Sequence, residues 1–84
     1  MLRLDLNDKH DTVLFVNPMN GVKINKQKDP ENSSYVLIID TGNIVCYLEY
    51  DVKEYRDANY GYALNKINEY LSPNVESVPL YKEE

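Results

Sequence analysis

The stretch YVLIIDTGNIVCYLEY, residues 35–50, decides the reading of this chain. Two runs of β-branched, aromatic and other apolar residues, Tyr35 to Ile39 and Ile44 to Tyr50, flank the turn-forming Asp40-Thr41-Gly42-Asn43. That pattern is a β-hairpin. Both runs are apolar on both faces until Glu49, which predicts two central strands of a sheet.

Upstream, Leu2-Arg3-Leu4-Asp5-Leu6 alternates apolar with charged, the period of a strand with one buried face. Asn7 to Asp11 is polar and reads as a turn. Thr12 to Val16 is β-rich and apolar on both faces, so it is expected inside the sheet. Asn17-Pro18-Met19-Asn20-Gly21 breaks the chain, because Pro fixes φ and Asn-Gly supplies a positive φ. Val22 to Asn25 alternates again, with Val22 and Ile24 inward. Lys26 to Ser34 is the most hydrophilic stretch and reads as a mobile loop.

Downstream the period changes. Asp51 followed by Glu54 resembles a capping box. Tyr60, Ala63, Leu64, Ile67, Tyr70 and Leu71 then recur at helical spacing, until Ser72-Pro73 ends the helix. Gly61 weakens that helix by about 1 kcal/mol relative to Ala, and reads as a kink or a close backbone contact. The predicted fold is α+β: a five-stranded antiparallel β-meander packed against one C-terminal amphipathic helix. Residues 1–72 form the single domain and 73–84 a flexible tail.

Eighty-four residues support one core. Fourteen acids against nine lysines and arginines give a net charge of −5. Such a balance opposes a groove that tracks a phosphate backbone, so no direct nucleic-acid partner is expected. No apolar run approaches the ~20 residues of a bilayer span, and no signal-peptide core follows Met1, so the expected location is cytoplasmic, without membrane. A single cysteine, Cys46, excludes an internal disulfide framework and reads as a small buried hydrophobe.

Ile38-Ile39-Asp40-Thr41-Gly42 resembles the active-site loop of aspartic proteases, whose retroviral type is a small β-rich homodimer. The resemblance implies a catalytic role for Asp40, a bracing hydroxyl on Thr41 and room for close approach at Gly42. The same residues are good hairpin-turn chemistry, and the turn is the preferred reading. Asp5, Asn7, Asp8, His10 and Asp11 bring oxygens close to the only histidine. A calcium loop would need Gly at His10 and a carboxylate at Val16, so a solvated turn is expected. No nucleophile–base set or Gly-rich phosphate loop is visible, and neither catalytic residues, metal ligands nor a cofactor are expected. Lys23, Lys26 and Lys28 form a basic patch that lacks interleaved aromatics and reads as a solvated edge that discourages stray pairing.

Tyrosine is the unusual feature: eight, against one Phe and no Trp. Tyr60 and Tyr62 fall about 200° apart on a helix, so one face cannot bury every ring. Tyrosine is favoured at interfaces because it combines apolar area with a hydroxyl. The expected function is therefore a small non-catalytic module that binds and regulates a protein partner, itself able to homodimerise. Tyr55 and Tyr62 are the expected contact residues, with Glu54, Asp57 and Glu69 for steering. An acidic, tyrosine-rich chain of this length is the sort of product that phages and mobile elements encode as an inhibitor or modulator of a host protein. The alternatives are an acidic mimic of nucleic acid that blocks a DNA- or RNA-binding protein, and the homodimeric aspartic protease.

Overall fold

The computed structural model describes residues 1–31 and 33–71, so the expected tail lies outside the described residues. Five antiparallel strands precede one helix: β1 Leu2–Leu6, β2 Thr12–Val16, β3 Lys23–Asp29, β4 Ser34–Asp40, β5 Val45–Tyr50 and α1 Lys53–Leu71. The strands form two sheets, β1-β2 and β3-β4-β5, and both pack against α1. One continuous meander is thus corrected to a hairpin plus a three-stranded sheet. The cause lies at Pro18–Asn20, which coils into a short 3-10 turn followed by Gly21 at φ 83°. Asn20 N–H donates to the Asn17 carbonyl and Gly21 N–H to that of Pro18. The connection satisfies its own backbone, and β3 finds β4 rather than β2.

Leu4, Leu6, Leu14 and Val16 of the hairpin meet Leu37, Ile39, Leu48 and Tyr50 of the larger sheet and Ala63 of α1 in one buried cluster. In β1 this is the face that the alternation marked. In β2 the expectation of burial on both faces fails, since Val13 is 43% and Phe15 57% exposed. A two-stranded sheet has only one face covered. β5 is likewise not central: β4 lies between β3 and β5, and β5 is an edge.

The expected loop at 26–34 is mostly strand. Lys26, Gln27, Lys28 and Asp29 pair with Leu37, Val36, Tyr35 and Ser34, and Pro30, Glu31 and Ser33, the last at φ 55°, lie in a turn. Backbone pairing needs no apolar side chain on an edge strand. The lysine stems also find cover, because Lys26 Nζ lies 4.6 Å from the centre of the Tyr60 ring and Lys28 Nζ 5.2 Å from that of Tyr35.

The α1 stripe is more polar than the sequence suggested. Arg56, Asn59, Ala63 and Ile67 are buried, whereas Tyr70 and Leu71 are exposed. Asp51 reaches Lys9 at 3.2 Å, and the first helical hydrogen bond runs from Arg56 N–H to the Val52 carbonyl. Gly61 marks no close approach, since a Cβ there would meet nothing within 4 Å.

Candidate protein-binding surface

The polar residues of α1 tie the two sheets together. The Tyr62 hydroxyl accepts from Asp5 N–H at 3.0 Å, and Asn59 Oδ1 accepts from Asn7 N–H at 2.8 Å, so both grip the first hairpin. On the other side Arg56 donates to the Gln27 carbonyl of β3 at 2.8 Å, with its guanidinium 5.4 Å from the Tyr35 ring centre. These contacts explain the buried Arg56 and Asn59: each satisfies a main-chain group of a strand or its adjoining turn. They also place two of the expected contact residues in the scaffold. Tyr62 is half-buried and engaged, and Asp57 is bound by Lys53 and Arg56, both at 2.9 Å, with Lys26 at 3.6 Å. The Lys53 and Arg56 hydrogen bonds hold the Asp57 carboxyl down to about 2.

Tyr55, Glu54 and Glu69 remain on the surface, with Tyr55 62% exposed. Tyr55 borders a depression of about 240 Å³ that is also lined by Asp8, Lys9, Tyr50 and Asp51. Tyr50 is 2% exposed, and its hydroxyl has no hydrogen-bond partner among the described residues. Burial pushes its phenol well above the ordinary range, and the charge of Asp8 adds to the shift.

The oxygen-rich turn is not simply solvated. Asp8 is buried, and its carboxylate accepts from His10 N–H, Thr12 N–H and the Thr12 hydroxyl. Asp40-Thr41-Gly42 builds a hairpin turn in the same way. Asp40 Oδ1 accepts from Gly42 N–H, while the Thr41 hydroxyl accepts from Asn43 and Ile44 N–H and faces the Ile44 carbonyl at 3.2 Å. Gly42 sits at φ 95°, and a Cβ there would lie 2.8 Å from the Asn20 carbonyl oxygen. Cys46 is half-buried, and burial pushes its thiol up. Acids and bases are interleaved: Asp5, Glu49, Asp51 and Asp57 each lie within 4.0 Å of a basic nitrogen.

The surface that the sequence did not mark is the outer face of β3-β4-β5. The register sets Gln27, Val36 and Glu49 in one row, Asn25, Ile38 and Tyr47 in the next, and Lys23, Asp40 and Val45 in the third. The opposite face carries Leu37, Ile39, Leu48 and Tyr50 into the core. On the outer face Tyr47 is 68% and Val45 47% exposed, beside half-buried Val36 and Ile38. A depression of about 350 Å³ opens between Tyr47, Val36 and Glu49 and the β3–β4 turn at Asp29 and Pro30. The signal was present in the sequence. Strands apolar on both faces fit two covered faces, but equally one covered face and one left for a partner.

No protein family, characterised protein or solved structure matches this chain.

Proposed function

We propose that this chain is a non-catalytic binding module that docks a protein partner on the outer face of its three-stranded sheet and regulates that partner. One observation carries the reading: apolar side chains of β4 and β5 sit on a face with no covering layer among the described residues. The sheet's other face already holds the core and α1, so Val36, Ile38, Val45 and Tyr47 add little to folding. An uncovered apolar stripe rimmed by Lys23, Asp40 and Glu49 has the make-up of an interface, with an aromatic anchor beside a polar border. The net charge of −5 favours a basic partner and faster encounter with it.

Tyr47→Asp places a charge in the middle row of this face, on its edge strand, without touching the core. The immobilised protein, exposed to extract of the cells that make it, is expected to retain a defined partner in fixed ratio. Tyr47→Asp is expected to lose that partner while its melting temperature stays close to that of the parent. Tyr55→Ala tests the helix start in the same assay. Retention of the same partner by Tyr47→Asp and its loss by Tyr55→Ala would move the interface to the 240 Å³ depression.

A further inference from the structure

The outer edge of β5 carries unused backbone. The Lys9 N–H donates to the Glu49 carbonyl at 3.0 Å from outside the sheet, so Glu49 turns its main-chain groups away from β4. Strand alternation then turns Val45 and Tyr47 outward as well, and Cys46 and Leu48 toward β4. The bond from Thr41 N–H to the Ile44 carbonyl at the hairpin end agrees with this phase. Among the described residues, no group pairs with the outward amides and carbonyls of Val45 and Tyr47.

We infer that this edge pairs with the same edge of a second copy, antiparallel, about a two-fold axis at Cys46. Lys9 closes the edge at Glu49, and the chain turns back toward β4 at Asn43, so the free edge is short and one register uses both outward residues. In it Val45 of each copy exchanges two hydrogen bonds with Tyr47 of the other, four in all. Cys46 faces its twin at a position without hydrogen bonds, where the Cα atoms lie about 4.5 Å apart, within disulfide reach. On the outer face each Tyr47 ring lies beside the other copy's Val45, an aromatic–β-branched pair. No charged side chain lies between Ile44 and Leu48, so the repulsion between two acidic chains is not concentrated at the seam. The two outer faces become one surface, doubling the apolar stripe. So short an edge buries less than the roughly 1,200 Å² of a stable interface, so the dimer is weak and reversible, with Kd of about 0.1–1 mM.

Pure full-length protein in sedimentation velocity tests this without any partner. The expected result is a dimer fraction that grows with concentration. Val45→Pro, which removes one outward N–H per copy at the first residue of an edge strand, is expected to remain monomeric. Val45→Asp, which keeps the amide and sets a carboxylate beside the opposing ring, is expected to do the same. Diamide, which takes the two thiol hydrogens and leaves an S–S bond, is expected to link the parent through Cys46 at least about tenfold faster than either Val45 variant. Cys46→Ser should still dimerise. A parent that stays monomeric at every concentration, or a dimer unchanged in both Val45 variants, would overturn the inference. Sedimentation of the pure protein contains no partner, so a failure of self-pairing is read independently of partner docking on the outer face.

Discussion

Tyr50→Phe is expected to stabilise the protein. Tyr50 lies on the core face of β5, is 2% exposed, and its hydroxyl finds no partner among the described residues. Burying a hydroxyl without a hydrogen bond costs about 1–3 kcal/mol by protein mutational measures. Deleting one oxygen leaves the ring packed against Leu48, Leu37 and their neighbours, so little of that gain is lost to a void. The net expectation is about 1 kcal/mol, which in a domain of this size raises the melting temperature by about 4–8 °C. Urea unfolding followed by far-UV circular dichroism at pH 7 reads it as a higher midpoint with an unchanged slope. Alkali supplies a second signature. The folded phenol holds its proton to higher pH than the unfolded one, so above about pH 10 the unfolded state has released a proton that the native state keeps. Stability that is intact below that pH then falls as pH rises in the parent, and the Tyr50→Phe advantage widens. Destabilisation by Tyr50→Phe, or an advantage that shrinks in alkali, would refute the argument by showing that the hydroxyl is hydrogen-bonded after all.

The two glycines outside the Pro18 turn should respond oppositely. Gly42→Ala forces a Cβ against the Asn20 carbonyl at positive φ and should destabilise by about 1–3 kcal/mol, whereas Gly61→Ala meets open space in a helix and should stabilise by about 1 kcal/mol, both by urea midpoint. Asp8→Ala releases three hydrogen bonds that shape the β1–β2 turn and should destabilise by about 2–3 kcal/mol, with faster amide exchange at Thr12. Asp57 has a depressed carboxyl, so its contribution is complete above the ordinary 3.8 and disappears as pH falls toward 2. Asp57→Asn should therefore flatten the stability profile across that acid window, and an unchanged profile would show that the carboxylate is not bound in solution.

What the sequence made legible was whatever local chemistry controls. The 35–50 hairpin, the period-two β1 and the change to helical spacing after Asp51 each follow from residue type over a few positions. Hydrogen bonds no longer than a turn then confirm the details, as at Asp40, Thr41 and Gly42. The expected contact residues were harder to read. Tyr62 and Tyr55 look alike in sequence, yet one hydroxyl accepts from Asp5 N–H 57 residues away and the other ring stands in solvent. Asp57 reads as a steering acid, yet Lys53 and Arg56 on its own helix engage it at 2.9 Å, and Lys26 joins them from β3.

The sequence by itself determined the class of the fold, the number of strands and the place of the helix after them, because backbone preference and hydrophobic period act between neighbours. Only the tertiary structure decided that the strands divide into two and three, that Lys26–Asp29 pairs rather than loops, and which apolar faces remain open. Those outcomes depend on which strand meets which, and on where the single helix lies. An amphipathic pattern shows that a side chain wants cover, but the covering element is set by contacts far along the chain. The helix reaches one face of β3-β4-β5, and Tyr47 on the other stays exposed.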